Sequence, residues 1–265
     1  MSYEREVARL IRINSEEREN PGTVPSNKFT VNFQNVTELQ AVNRVVIKNV
    51  SIPNVQYNIR PALGLNPVGN IFTYNNGTVR TITVPTGNYD IDSLRAAINA
   101  SAVAIADGLT VTQNAITKRL VFTSTVPISY LDHDSGNNMA RTLGILDDSS
   151  PAVLSFTAQG LPNISVHPNL YIVSRALAGS SNMISPTLKQ LPVCAVIPVN
   201  VNFGDYIHYE TQGWTIDDIH YTSFSSGVSL QEIDLAVYDG DANLIDLQGT
   251  DWTIVVRAYI APGVR

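Results

Sequence analysis

An acidic cluster near the end of the chain has the residue types and spacing of a calcium loop. In the stretch YDGDANLIDLQGTDWTIVVRAYI, Asp239, Asp241 and Asn243 occupy alternate positions, as the first three ligands of an EF-hand do. An EF-hand also requires glycine at its sixth position and a bidentate carboxylate at its twelfth, where this sequence has Leu244 and Thr250. The flanking segments are rich in Val, Ile and aromatic residues, which favour strands. The sequence therefore predicts a turn between antiparallel strands here, and no metal site.

Histidine and glutamate residues offer a second kind of metal chemistry. His208 and Glu210 share one strand face in DYIHYE, as two ligands of a cupin-like metalloenzyme would. The cupin signature needs a His-x-His pair before the glutamate, and the paired histidine is missing. His133 lies between Asp132 and Asp134 on a predicted loop, where three adjacent residues do not face one ion without further ligands. We therefore predict no metal and no cofactor, and keep a cupin-like enzyme as the less favoured alternative.

The lone cysteine does not provide a catalytic nucleophile. Cys194 lies in the apolar run LPVCAVIPV, without an evident catalytic partner, so we predict a buried thiol. Neither a Gly-x-Ser-x-Gly elbow nor a His-Glu-x-x-His motif occurs. A single cysteine also excludes an intrachain disulfide framework. The lack of such a framework is typical of proteins made in a reducing compartment. We accordingly predict a protein that is not an enzyme.

The composition indicates a large globular unit with few charges. The chain has 265 residues, of which 44% are apolar and only 15% are charged, so its surface depends on Asn, Thr, Ser and Gln. The net charge of −6 predicts no direct binding to nucleic acid. The N-terminus has no hydrophobic signal core, and no apolar window has the length of a membrane helix. We expect neither a signal peptide nor a transmembrane segment.

Strand signals dominate the sequence from Lys28 onward. Apolar residues alternate with polar ones in KFTVNF, and the Asn76-Gly77 dipeptide predicts a hairpin turn. Further strands are predicted at NIFTYN (70–75), VRTITVP (79–85), LYIVS (170–174), VCAVIPVNV (193–201), DYIHYE (205–210), LQEIDLAVY (230–238) and WTIVVRAYI (252–260). This pattern predicts an all-β fold, an antiparallel sandwich formed by residues 28–265 as one domain.

Two segments depart from this pattern. Asp90 is a predicted N-cap of a helix with an apolar stripe, so residues 86 to about 160 are predicted to form a small α+β insertion. Residues 1–27 carry charges of both signs and end in the Pro- and Gly-rich stretch ENPGTVPSN, which predicts an N-terminal arm. Val7, Leu10 and Ile11 would share one face of a short helix there. The arm is either a frayed terminus or a segment that orders against a neighbouring subunit.

Three segments resemble the single jelly-roll capsid proteins of virophages, polinton-like elements and large DNA viruses. The ending LAVYDGDANLIDLQGTDWTIVVRAYI is similar to the last strand pair of that family, with its Asp-Gly turn and Gly-x-x-Trp step. VVIKNVSIPNVQYNI (45–59) resembles its early strand followed by Ile-Pro-Asn. TVPTGNYDIDSLRAAIN (83–99) resembles its Pro-x-Gly-x-Tyr element followed by a helix. The chain has room for one jelly roll with an insertion, and hardly for the double roll of a major capsid protein.

The resemblance implies a structural virion protein without catalytic residues. It implies a minor capsid protein of the virion, namely the subunit of the pentameric penton at icosahedral vertices, with cement and spike roles left open. The implied partners are further copies of the chain, in a pentamer, and the major capsid protein of the same virion. Val7, Leu10 and Ile11 are then the expected inter-subunit contacts of the arm. The alternative of a different class is a carbohydrate-binding jelly roll, in which Trp214 and Tyr221 would contribute aromatic platforms.

Overall fold

The computed structural model describes residues 7–33, 36–61, 69–130, 138–147, 151–165, 167–178, 183–184, 190–210 and 221–260. The strands in these ranges are Val7–Asn14 (β1), Lys28–Asn32 (β2), Val42–Pro53 (β3), Ile71–Asn75 (β4), Val79–Thr83 (β5), Thr110–Gln113 (β6), Leu120–Tyr130 (β7), Val153–Thr157 (β8), Asn169–Val173 (β9), Met183–Ile184 (β10), Gln190–Leu191 (β11), Val193–Pro198 (β12), Tyr206–Glu210 (β13), Tyr221–Val228 (β14), Glu232–Tyr238 (β15) and Thr253–Ile260 (β16). The helices are Ile91–Asn99 (α1), Ala102–Asp107 (α2) and Arg175–Ala178 (α3), with 3-10 turns at Ser15–Glu17 and Thr37–Gln40. None of the helices in the described ranges has the length and hydropathy that a bilayer span requires.

The chain divides into two compact units. The first, called the roll, comprises Met1–Gln56 together with His167–Arg265. The second, called the insertion, comprises Tyr57–Val166. The inserted unit therefore enters the roll between β3 and β9.

Two antiparallel sheets form the roll. Sheet I has the order β1-β16-β3, and both β13 and β14 pair with the far side of β3; sheet II has the order β12-β9-β15-β2. Because β13 and β14 pair with successive parts of β3, they together fill one strand position. Each sheet then has four strand positions, and most connections along the chain cross from one sheet to the other. This strand order is that of a jelly roll, so the predicted all-β antiparallel jelly-roll sandwich is confirmed.

Strand alternation places apolar side chains between the two sheets. In β16, Ile254 and Val256 are buried while Val255 between them is partly exposed. Trp252, the largest fully buried side chain among the described residues, packs edge-on against Phe29 with 5.8 Å between the ring centroids. Its indole N–H donates to the carbonyl of Ser26 at 2.7 Å, which satisfies the polar atom of an otherwise apolar side chain. The interior of the roll is a packed apolar layer.

The N-terminal segment is a strand of the roll and not an arm. Val7–Asn14 pairs antiparallel with β16 along its whole length. Ile11 and Ile13 are only 7% and 1% exposed and lie in the core of the roll, whereas Leu10 is 65% exposed. The prediction that Val7, Leu10 and Ile11 share one helix face is therefore wrong, because neighbouring residues of a strand point to opposite faces. Because Val7–Asn14 pairs with β16, this part of the predicted arm 1–27 lies in the sandwich.

The insertion is longer than the α+β segment predicted at 86–160, because it also contains β4 and β5. Its sheet has the order β5-β4-β7-β6, with β8 also paired to β7. The predicted hairpin turn at Asn76-Gly77 joins β4 to β5. Gly77 has a φ of +101°, a backbone conformation that residues with a Cβ rarely adopt. The hairpin belongs to the insertion, which has an apolar core of its own, and not to the sandwich.

Helix α1 of the insertion begins at the predicted N-cap. The carboxylate of Asp90 accepts a hydrogen bond from the backbone N–H of Ser93 at 2.7 Å. The Ser93 hydroxyl oxygen in turn accepts from the backbone N–H of Asp90 at 3.0 Å, which completes a capping box. The hydrogen bonds from Ser93 lower the pKa of Asp90, because they stabilise the ionised carboxylate.

The end of the chain crosses between the sheets. β15 lies in sheet II and β16 in sheet I, so the predicted hairpin of these two strands is wrong. The predicted turn itself is present directly after β15, where Tyr238 forms an antiparallel bridge with Leu244. The segment from there to Trp252 carries the chain from one sheet to the other.

Candidate assembly surface

β1 is an edge strand of sheet I. Among the described strands, only β16 pairs with it. Val7 is 46% exposed at its start, and the side chains of Leu10 and Arg12 point away from the core. A strand edge with exposed apolar side chains is a natural pairing site for another chain. Val7 and Leu10 are thus exposed at this edge, whereas Ile11 belongs to the core of the roll.

A buried polar network fastens the segment after β1 to the start of β16. Arg18 is 8% exposed, and its Nη1 lies 2.6 Å from Oδ1 of Asp251. Its Nε donates to the carbonyl of Val24 at 2.6 Å. The Ser15 hydroxyl donates to the same Asp251 oxygen at 2.7 Å and accepts from the backbone N–H of Trp252 at 2.9 Å. These bonds satisfy buried polar groups and hold the segment in one conformation, which fixes the position of the β1 edge.

The outer face of sheet I carries aromatic and basic side chains. The Arg44 guanidinium lies 3.7 Å from the ring centroid of Tyr259, within the range of a cation–π interaction. On β13, the exposed Tyr206 stacks its ring near that of His208, with centroids 6.3 Å apart. Tyr and Arg are the residue types that protein interfaces favour. Together with the β1 edge, this face forms the candidate assembly surface, defined by Leu10, Arg44, Tyr206, His208 and Tyr259.

The side chains of the two residues that suggested a cupin-like site point away from the interior of the sandwich. His208 and Glu210 are exposed on the outer face of β13, while Ile207, which precedes His208, points into the core. Nδ1 of His208 lies 3.2 Å from the hydroxyl of Ser51 on the same outer face. A ligand set inside the roll would need inward side chains, and apolar residues fill that space. The geometry does not assemble the cupin-like site.

Cys194 is buried in the core of the roll, as predicted. Its thiol donates to the carbonyl of Ile172 at 3.3 Å. Burial raises the pKa of the Cys194 thiol to about 12, so the thiol is protonated at neutral pH. A protonated, enclosed thiol is a poor nucleophile, and Cys194 acts as a small core residue.

Asp239 organises the turn that follows β15. Its side chain is fully buried, and Oδ1 accepts from the backbone N–H groups of Asp241 and Asn243, each at 2.9 Å. Oδ2 accepts from the side-chain amide of Asn243 at 3.2 Å. A carboxylate that binds backbone N–H groups two and four residues later mimics a backbone turn. The three residues of the apparent calcium pattern thus form the predicted turn.

Other predicted site residues cannot be placed in the fold. The cluster of Asp132, His133 and Asp134 lies outside the described residues, as does Trp214. The side chain of Tyr221 is outside them as well. The aromatic platform of the carbohydrate-binding alternative therefore stays a prediction.

The fold and the candidate assembly surface define a class: a single jelly roll with a filled interior, into which an α+β unit is inserted. No protein-family model matches the sequence, and no curated protein sequence matches it. Among solved structures, the chain is similar to the mavirus penton protein, at a TM-score of 0.49 and 12% sequence identity, over 96% of this chain and 100% of that one.

Proposed function

We propose that this chain is a structural protein of a virus shell, a minor capsid protein that forms the pentameric penton at icosahedral vertices. The observation that supports this most is the complete jelly roll with a filled interior, which leaves outer faces, edges and loops for interaction. Jelly rolls of this architecture occur in viral capsids, lectins and cupins. The three segments that resemble capsid jelly rolls favour the first of these classes.

The exposed edge of β1 supports the formation of a closed ring. A ring needs a head-to-tail interface that repeats by a fixed rotation, so each subunit presents two different surfaces. The edge of β1, with Val7 and Leu10, provides one of them. Burying one such side chain in a neighbour contributes on the order of 1 to 2 kcal/mol at roughly 25 cal/mol per Å². We infer that Val7 and Leu10 are inter-subunit contacts, repeated at every interface of the ring.

The composition of the surface suits a crowded shell. Many uncharged polar side chains and few charges give contacts that depend weakly on salt. The proposed partners are other copies of this chain and the major capsid protein of the same virion. The proposed location is the capsid.

Native mass spectrometry of the purified protein tests the proposal. We expect the wild type to form a pentamer. Leu10→Asp should be monomeric with an unchanged far-UV circular dichroism spectrum, because the residue is exposed and its replacement places a charge in the interface. Ile116→Asp is the matched control, since Ile116 is 91% exposed in the turn between β6 and β7 of the insertion and should keep the pentamer.

A shell-incorporation assay completes the test. The chain should enter particles when it is co-expressed with the major capsid protein, and Leu10→Asp should reduce that incorporation. A wild type that remains monomeric at every concentration and stays out of particles would overturn the proposal. Binding on a glycan array by such a monomer would favour the carbohydrate-binding alternative.

A further inference from the structure

A histidine from a distant part of the sequence lies against the turn that follows β15. Nε2 of His167 is 2.9 Å from Oδ2 of Asp241 and 3.6 Å from Oδ2 of Asp239. One potential ligand atom from each of the three residues lies within 4.8 Å of the other two. Nothing in the sequence connects this histidine to the two aspartates.

The pairing of β9 with β15 brings the three residues together. Tyr171 lies opposite Tyr238 in this antiparallel pair. Extending the register past the strand ends places the residues before β9 beside those after β15. A Cβ at Gly240 would lie 3.2 Å from Nδ1 of His167, so glycine at this position allows the ring to approach the turn closely. The cluster therefore lies at one end of sheet II, and the backbone ladder determines its geometry.

The turn fixes the carboxylate of Asp239 with one oxygen toward His167. Its Oδ1 accepts from two backbone N–H groups, whereas Oδ2 accepts from the side-chain amide of Asn243 and lies 3.6 Å from Nε2 of His167. Hydrogen bonds of this kind orient the carboxylates that bind metal ions. The side chain of Asp239 is fully buried, whereas those of His167 and Asp241 are each 23% exposed. The cluster is thus rigid on its inner side and accessible to ions and water on its outer side.

The donor set is suited to a divalent transition-metal ion. Calcium prefers oxygen ligands alone, whereas one imidazole with two carboxylates suits zinc and its neighbours in the first transition row. Ligand atoms about 2.1 Å from a tetrahedral zinc ion are about 3.4 Å apart, close to the 3.6 Å between His167 and Asp239. The 2.9 Å distance between Nε2 of His167 and Oδ2 of Asp241 would widen by about half an ångström, and rotation of the partly exposed Asp241 side chain permits this change.

The charges of the cluster favour a cation as well. Two carboxylates lie next to one imidazole, and one of them has no solvent exposure. A divalent ion at this position would lie close to both carboxylates and be attracted by both.

We propose that His167, Asp239 and Asp241 bind a divalent transition-metal ion that joins the start of β9 to the turn after β15. Water completes the coordination, and the ion stabilises this end of sheet II. The cluster shares no residue with the candidate assembly surface, so the proposal stands independently of the role in a capsid.

Isothermal titration of the chelator-treated protein with zinc chloride tests this site. We expect one ion per chain for the wild type, together with a rise in Tm, because an ion that binds the folded state stabilises it. His167→Gln and Asp241→Asn should each weaken the Kd for zinc at least tenfold. His208→Gln is the matched control, since it removes an exposed histidine of β13 and should leave the Kd unchanged. Asp239 is left intact, because its replacement would also disturb the turn.

Each result either supports or overturns the proposal. Circular dichroism of the variants shows whether they fold, and cobalt chloride, followed by visible absorption, gives a second measurement on the wild type. A wild type that binds neither ion at millimolar concentration would show that His167 and Asp241 form a hydrogen bond and nothing more. Zinc binding that survives in both His167→Gln and Asp241→Asn would place the ion elsewhere. Calcium that raises the Tm as much as zinc would contradict the role of the imidazole.

Discussion

Alanine substitutions in β1 should show that the N-terminal segment belongs to the sandwich. Ile13 is 1% exposed and lies in the core of the roll, whereas Leu10 is 65% exposed on the same strand. Removing a buried isoleucine side chain costs about 2 to 5 kcal/mol, because transfer free energy is lost and a cavity remains. At about 3 kcal/mol, and roughly 2 to 4 °C per kcal/mol for a domain of this size, Ile13→Ala should lower the Tm by roughly 6 to 12 °C. Leu10→Ala should change the stability of the subunit by less than about 0.5 kcal/mol.

Tryptophan fluorescence is the appropriate measurement, because both tryptophans lie outside the insertion, at 214 and 252. The signal therefore follows unfolding of the roll without interference from the inserted unit. The comparison should be made on a dissociated subunit, at low concentration, so that the loss of an inter-subunit contact at Leu10 does not contribute. An equal fall in Tm for Ile13→Ala and Leu10→Ala would contradict a strand with one buried and one exposed face. An unchanged Tm in both variants would show that the segment is a detachable arm.

Three further predictions concern the polar network, the cysteine and the insertion. Arg18→Met should destabilise the roll by about 2 to 3 kcal/mol. Because the two side chains form an ion pair, Asp251→Asn should cost less stability in the Arg18→Met protein than in the wild type. Equal costs in the two backgrounds, measured by thermal unfolding, would contradict this coupling. The folded state should lose stability as the pH rises above about 9, since the Cys194 thiol then ionises in the unfolded chain while burial holds its folded pKa at about 12. Urea titrations at several pH values should show that the free energy of unfolding falls with pH up to about 1.4 kcal/mol per pH unit more steeply than in Cys194→Ala. An identical pH dependence of the two proteins would contradict the burial of the thiol. Gly108→Ala should destabilise the insertion by about 1 kcal/mol or more, because Gly108 has a φ of +59° and a Cβ would lie 2.5 Å from the Thr125 side chain. An unchanged thermal melt by circular dichroism would contradict this prediction. The melt followed by tryptophan fluorescence should be the same as in the wild type.

The sequence predicted those strands in which apolar and polar residues alternate cleanly. In β15, Ile233 and Leu235 are buried on both sides of the more exposed Asp234, and the same alternation marks β16. Local chemistry was equally informative at the Asn76-Gly77 turn and at the N-cap Asp90, where a single residue type satisfies a specific backbone requirement. Such features depend on near neighbours in the chain, so the sequence contains them in full.

Features that depend on distant partners were not predictable in this way. The segment VARLIRIN has apolar residues at both helical and strand spacings, and its pairing with the far end of the chain decides for the strand. The hairpin of β4 and β5 has the same strand signals as the roll, so its membership in the insertion followed only from packing. His167 likewise meets Asp239 and Asp241 through the register of β9 with β15, which no spacing in the sequence reveals.

The central position of β16 in sheet I determines when this subunit can be completed during its synthesis. β16 lies between β1 and β3, so β1 gains its neighbour among the described strands of sheet I only when β16 has been made. At about 5 to 20 residues per second, that interval is roughly 12 to 50 s. During it, Ile11 and Ile13 of β1 have no core to enter, and the long separation between the paired strands slows their closure further. The nascent chain should therefore depend on chaperones that shield its N-terminal strand, and a truncation that removes β16 should leave that strand prone to aggregation.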